Sequence, residues 1–364
     1  MKILIDARSL GRKPSGIGMY IYNFVNELSN YSDISIGLLT DVSESDEMNR
    51  LGEKEQIELY IYGKVVQKSL GLRNYFKFVQ KMIHKVKPDL FWEGNNLVPV
   101  KIENPYGKFA VTIHDMFPVY MPECYGKIYP YYFKYGIAKT LNMVDIVIYN
   151  SKETKEETEK YFPTAKRKKS FLSYIIVDVD IQEKIEDKDY FMYVGNLEKR
   201  KGTDILIHAY ESYKRKGGRK KLILAGKMRE KEIEELFKKV SGEVEGLEYV
   251  GYIDDEKKNK LLAECSCFLF PSRAEGFGMP IIEAIAYKKP VIASELNIFK
   301  ELLGDIINYF ELSNDNNKAE KNLCEMMQGY EADISELQYE EVRNKYAAKV
   351  LGMKLKKYFD GELI

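Results

Sequence analysis

The chain has 364 residues, 45% hydrophobic and 31% charged, which suits two domains of roughly 150 residues, each able to bury a core. Lys+Arg and Asp+Glu both number 56, so the formal net charge is zero, which argues against a nucleic-acid-binding protein. No strictly apolar run is longer than Tyr190–Val194, against about 20 residues for a membrane-spanning helix. The start, Met1-Lys2-Ile3-Leu4-Ile5-Asp6, carries charge too early for a signal-peptide core, so a cytoplasmic protein is expected. Cys124, Cys265, Cys267 and Cys324 lie in apolar sequence without zinc-like spacing and read as reduced, buried thiols.

In chain order, apolar β-type runs occupy Lys2–Asp6, Ser35–Thr40, Ile57–Tyr62, Leu90–Glu93, Phe109–Ile113 and Ile146–Tyr149. Ser15-Gly16-Ile17-Gly18 follows the first run, ahead of a helix predicted to start near Tyr20. Gly16 and Gly18 thus make a turn that suits a phosphate or an acceptor. His114 ends the fifth run, with Asp115 beside it, at the carboxyl edge of a sheet. A shift from the basic cluster Lys166–Lys169 to the acidic stretch Asp178–Asp189 marks a linker.

A second series follows: Tyr190–Val194, Lys221–Ala225, Leu247–Tyr252, Cys267–Phe270 and Pro290–Ala293, with charged helical sequence after Asn308–Phe310. Strands apolar throughout and separated by helices mean parallel sheets covered on both faces, so the fold class is α/β with two such sandwiches. Ligands of open parallel sheets bind beyond the carboxyl ends of the strands, and two sheets point to a cleft between domains.

The most informative segment is Pro271-Ser272-Arg273-Ala274-Glu275-Gly276-Phe277-Gly278-Met279-Pro280-Ile281-Ile282-Glu283-Ala284. It leaves the carboxyl end of a strand. Gly276 and Gly278 allow close backbone approach, and Pro280 suits a first helical turn. Free amides at a helix start form an anion site, with Glu275 before the turn and Glu283 within the helix.

That string resembles the Glu-x7-Glu signature of the retaining GT-B glycosyltransferases of family 4 (group 1). The resemblance continues through Ser15-Gly16-Ile17-Gly18, Thr112-Ile113-His114-Asp115, Tyr193-Val194-Gly195-Asn196-Leu197-Glu198-Lys199-Arg200-Lys201-Gly202 and Lys289-Pro290-Val291-Ile292-Ala293-Ser294. It implies two Rossmann-like domains facing a central cleft. Residues 1–168 would hold the acceptor, 169–188 the linker and 189–338 the nucleotide sugar. Residues 339–364, chiefly Tyr339–Phe359, would form a helix returning to the first domain.

The resemblance also implies sugar transfer from a nucleotide diphosphate sugar, with anomeric configuration kept, no cofactor and no metal. Glu283 then holds both ribose hydroxyls, and Glu275 faces the transferred sugar beside Gly276. Amides of Phe277, Gly278 and Met279 meet the sugar or the distal phosphate. Arg200 and Lys201 supply positive charge at the diphosphate, Lys201 being favoured. The family usually has arginine directly after the glycine, where this chain has Asn196; either one cation is missing or Arg200 replaces it. His114 would position the donor sugar. Asp178-Val179-Asp180 looks like the metal-binding triplet of another glycosyltransferase fold, but it falls in the linker.

The His-Asp variant resembles bacterial mannosyltransferases of surface-polysaccharide assembly, which tilts the donor toward mannose and the acceptor toward a glycan or lipid-linked glycan. The rivals are a nucleotide-sugar epimerase on the same fold and a non-catalytic nucleotide-sugar-binding protein. A lipid-linked acceptor would make docking at the inner face of the cell membrane useful. Lys64–Lys87 has seven Lys/Arg and no Asp or Glu. At about 100° per residue, Arg73, Lys77, Lys81, His84, Lys85 and Lys87 share one face. Leu72, Tyr75, Phe76, Val79, Met82, Ile83 and Val86 share the other. The helix is either a sheet cover with a solvated basic side or one that also meets an anionic membrane surface. The stretch Tyr125–Lys134 adds either interfacial aromatics or an acceptor-side wall.

Overall fold

The computed structural model describes residues 1–66, 69–179, 186–313, 315–330 and 334–363, leaving aside the side chains of 69 and 70. The chain divides into two compact units, Met1–Ile176 with Tyr346–Ile364, and Val177–Lys345.

The first unit holds β1 (Lys2–Asp6), β2 (Ser35–Thr40), β3 (Ile57–Ile61), β4 (Leu90–Glu93), β5 (Lys108–Ile113), β6 (Ile146–Tyr149) and β7 (Lys169–Leu172). They form one sheet in the order β3-β2-β1-β4-β5-β6-β7, every pair parallel. Ile3, Leu4 and Ile5 of β1 are buried in succession, as are Leu90, Phe91 and Trp92 of β4. Helices therefore cover both faces of this sheet. The helix Ser69–Val86 buries Tyr75, Phe76, Val79 and Ile83 in the core and exposes Arg73, Lys77, Lys81, His84 and Lys85. Its two faces are those the sequence assigns. Lys68, in the same basic stretch, lies outside the described residues.

Four local readings change. Residues 169–172, assigned to the linker by their charge, form β7, because Ser170-Phe171-Leu172 extends the β6 ladder. The helix expected near Tyr20 runs from Gly16 to Leu28, so the two glycines lie in its first turn. Ser15 caps it by accepting the Gly18 N–H, and a side chain on Gly18 would collide with the Ser9 carbonyl. The terminal helix is two helices, Glu336–Tyr346 and Ala348–Leu363. The latter packs on the helix Gly16–Leu28, with Gly352 making room for Glu27 and the Phe359 ring 6.0 Å from Trp92. Cys124 is exposed, whereas Cys265, Cys267 and Cys324 are buried. It sits in the short turn Pro122–Tyr125, which contributes no buried residue.

The second unit holds β8 (Tyr190–Val194), β9 (Lys221–Ala225), β10 (Leu247–Gly251), β11 (Cys267–Phe270), β12 (Val291–Ser294) and β13 (Asn308–Phe310). Their order is β10-β9-β8-β11-β12-β13, again all parallel. Each sheet thus reverses its strand order once, between β1 and β4 and between β8 and β11. Such switch points open a crevice at the carboxyl edge, where ligands of this architecture sit. Among the described residues no helix is long and apolar enough to cross a membrane.

Candidate functional site

In the second unit, the segments leaving β8 and β11 meet at the switch point. After β8 the chain makes a tight turn, Lys199–Lys201, closed by Gly202 in the left-handed region (φ 67°). A side chain on Gly202 would run into the Pro271 carbonyl, so only glycine lets this turn press on the exit from β11. After β11 the loop reaches Gly278 (φ 94°), which starts the helix Met279–Ala286 with Pro280 in its first turn. A side chain on Gly278 would meet the Phe299 ring.

This packing brings Lys201 and Glu275 together, with Lys201 Nζ 2.5 Å from Glu275 Oε1. The Ser272 hydroxyl donates to the same oxygen. Glu275 is 7% exposed and Lys201 16%, and Lys201 Nζ also lies 5.5 Å from the centre of the Phe270 ring. A nearly dry cation beside a carboxylate at a sheet's carboxyl edge is a suitable receiver for a polar ligand bearing negative charge.

Arg200 is spent differently. It donates to Glu198 at 2.7 Å and to the Ala274 carbonyl at 3.0 Å, tying the β8 turn to the Glu275 loop. Asn196 accepts the Tyr193 hydroxyl on its backbone carbonyl. Gly276, Phe277, Gly278 and Met279 form the loop and helix start, Phe277 being buried.

Glu283, one turn into that helix, is 12% exposed and accepts from Lys258 Nζ at 3.0 Å. Lys258 also pairs with Asp255. Burial works against the Lys258 charge, but Glu283 and Asp255 outweigh it and raise its pKa. Lys258 escaped the sequence reading, since it stands among Glu256, Lys257 and Lys260 with nothing to distinguish it. Of the triplet 178–180, Asp178 is exposed and Asp180 lies outside the described residues.

In the first unit, His114 stands at the carboxyl end of β5. Its Nε2 lies 2.9 Å from the Gly94 carbonyl, which can only accept, so Nε2 carries the proton and Nδ1 is left as an acceptor. Burial lowers its pKa to about 4, outweighing the Gly94 hydrogen bond, so the ring is neutral near pH 7. Its backbone N–H donates to Asn96 Oδ1 and its carbonyl accepts from Asn150. Tyr20 packs edge-on against the ring at 4.8 Å. Asp115 accepts from the Phe117 amide.

A second cluster in this unit was not predicted. Asp6 accepts from Arg8 Nε and, at 3.0 Å, from the Tyr75 hydroxyl, while Glu93 stands beside it in the ladder. The only sequence signal was a charged residue ending each of two apolar strands, β1 and β4.

The profile of the family described as glycosyl transferases group 1 matches residues 177–333, the segment that contains the Lys201–Glu275–Glu283 site. Residues 177–333 thus carry the sequence profile of the group 1 glycosyltransferases, and the chain is similar to such proteins over most of its length. The chain is 25% identical over 334 residues to O-antigen chain mannosyltransferase B of Escherichia coli, covering 84% of this chain and 85% of that protein. It is 22% identical to O-antigen chain mannosyltransferase RfbU of Salmonella typhimurium, covering 83% and 84%. In fold it is similar to WaaG, a glycosyltransferase involved in lipopolysaccharide biosynthesis, with a TM-score of 0.72 at 15% identity over 99% and 100% of the two chains. Anabaena Alr3699/HepE, solved with UDP and glucose, gives a TM-score of 0.72 at 17% identity over 99% of each chain. The fold is therefore GT-B, as the motifs imply.

Proposed function

We propose that the protein is a glycosyltransferase that moves a mannose-like hexose from a nucleotide diphosphate sugar to a glycan or lipid-linked glycan in surface-polysaccharide biosynthesis, retaining anomeric configuration without a metal. The observation that carries this reading is the half-buried Lys201–Glu275 pair at the switch point, with Glu283 on the helix that follows. Two curated relatives aligned over more than four fifths of the chain, both O-antigen mannosyltransferases, support the sugar and the setting.

In this reading Glu283 takes the ribose hydroxyls, exchanging its Lys258 contact for two neutral donors. Glu275 takes sugar hydroxyls, and Lys201 meets the diphosphate. As the glycosidic C–O bond breaks, negative charge grows on the departing phosphate, and a fixed ammonium stabilises that charge more than the ground state. The acceptor oxygen bonds to the anomeric carbon on the face the diphosphate leaves, through an oxocarbenium-like state. A phosphate oxygen receives the acceptor's proton. Arg200 serves this scheme as the brace of the Glu275 loop.

The exposed basic face of the helix Ser69–Val86 would hold the enzyme at an anionic membrane surface, near a lipid-linked acceptor. Its apolar face is occupied by the core, so the attraction is Coulombic. Ile128, Tyr131 and Tyr135, all exposed, add amphipathic and apolar groups on the same unit.

The test offers nucleotide diphosphate hexoses with and without glycan acceptors and follows nucleotide diphosphate release and sugar product. Acceptor-dependent release with a mannose donor supports the reading. Conversion of the donor sugar without acceptor would replace it with epimerisation, and donor binding without turnover would replace it with a non-catalytic role.

A further inference from the structure

The switch point of the first sheet holds two carboxyl groups that the scheme above does not use. Asp6 ends β1, Glu93 ends β4, and the two are partners in the parallel ladder. Asp6 is 2% exposed and Glu93 is fully buried.

Asp6 is well supplied with donors. The Arg8 amide, the Arg8 guanidinium and the Tyr75 hydroxyl all donate to it, and the Arg8 guanidinium carbon lies 4.4 and 4.7 Å from the centres of the Tyr75 and Phe76 rings. Glu93 is not. Its Oε1 accepts from the Asn95 amide at 3.2 Å, while its Oε2 is buried with no donor at all. An ionised carboxylate with a dry, unpaired oxygen beside another carboxylate is unfavourable twice over, through desolvation and through like charge. One proton removes both penalties, because Oε2–H becomes a donor and Asp6 the acceptor. Burial first, and the Asp6 charge second, push the Glu93 pKa well above the usual carboxylate range, with Arg8 opposing. Asp6, Arg8 and Tyr75 are the ionisable groups that face it.

Glu93 also begins the turn that holds His114. Gly94 supplies the carbonyl that takes the His114 Nε2 proton, and Asn96 supplies the oxygen that takes the His114 backbone N–H. The Glu93 carboxyl grips the same turn through the Asn95 amide.

We propose that Glu93 is a positioning residue held as a neutral carboxylic acid: it donates from Oε2 to Asp6, and through the Gly94–Asn96 turn it fixes His114 with the proton on Nε2 and the Nδ1 lone pair free for substrate. The shared proton gives the Asp6–Arg8–Glu93 cluster a net charge of zero, so it neither repels nor traps an approaching phosphate. The use of the Nδ1 lone pair rests on the glycosyl-transfer reading. The protonation and the tautomer do not, and their test needs no turnover.

The chain has three histidines, so protein labelled with nitrogen-15 at histidine gives an assignable ring spectrum. At pH 7 the His114 signals should show the Nε2–H tautomer in the wild type and in Glu93→Gln, whose amide donates to Asp6 as the acid does. In Glu93→Ala they should move to mixed tautomers. Infrared difference spectra of wild type against Glu93→Gln should show one neutral carboxylic acid carbonyl, lost in the variant. Absence of that band overturns the protonated acid. A His114 tautomer unchanged in Glu93→Ala, or scrambled equally in Glu93→Gln, overturns the positioning role. Should Glu93→Ala fail to fold, the infrared band still decides the protonation, and Glu93→Leu, which keeps the bulk and removes the donor and the acceptor, replaces it in the tautomer comparison.

Discussion

Lys201 Nζ lies 2.5 Å from Glu275 Oε1, so a cation and a carboxylate of the candidate site neutralise each other before any ligand arrives. A nucleotide diphosphate would draw the lysine toward phosphate while sugar hydroxyls replace it on Glu275. Lys201→Ala should therefore lower kcat by ~10²-fold or more, because its charge matters most as the leaving group develops. Donor affinity should fall less. Steady-state kinetics with calorimetry checks the split. A normal Lys201→Ala beside a crippled Arg200→Ala would reassign the phosphate contact to Arg200.

Glu283→Ala removes an acceptor expected to take two ribose hydroxyls, at roughly 1.5–3 kcal/mol each at most. Calorimetry should show weaker donor binding, with the fold intact because Lys258 keeps Asp255 as partner. Equal affinity in variant and wild type would remove Glu283 from the ribose.

Gly202→Ala forces a side chain into the left-handed region and against the Pro271 carbonyl. A non-glycine residue strained in that region costs about 1–3 kcal/mol. Urea unfolding should show at least that loss, whereas Gly242→Ala, which meets nothing within 4 Å, should not. Equal stability of both variants would mean the turn relaxes freely.

His114 titrates near 4 in the folded protein and at 6.5 when unperturbed. Between those values the unfolded chain binds more protons, so this contribution to stability is complete above pH 6.5 and is lost as the pH falls through 4. The window is worth about 3 kcal/mol. Replacing His114 by Phe should flatten the fall in unfolding free energy across that range. An unchanged slope would place the titration elsewhere.

Sedimentation with anionic vesicles should show binding at low salt that fades as salt rises. Replacing Lys77, Lys81 and Lys85 by Glu should abolish it, since each basic residue contributes ~1 kcal/mol near such a surface. Equal binding to neutral vesicles, or no loss in the triple variant, would leave the helix merely solvated.

Much of this architecture was legible because parallel strands buried on both faces read as unbroken apolar runs. β1, β4, β6, β8 and β11 fall on the expected residues. β7 was missed because Lys169 and the preceding basic cluster hid a two-residue apolar edge, Phe171-Leu172. The second-unit site was legible through glycines whose spacing has a steric cause, as at Gly202 and Gly278. Lys258 and the Asp6–Arg8–Tyr75–Glu93 cluster were not. Their meaning lies in which strands become neighbours, and a linear sequence does not display that β1 lies next to β4.

The most direct test of the central claim is the anomeric configuration of the first sugar product, read by proton NMR early in a reaction with an accepted nucleotide diphosphate hexose. The account predicts that an α-linked donor gives an α-linked product, with one nucleotide diphosphate released for each sugar transferred. A β-linked product would contradict it.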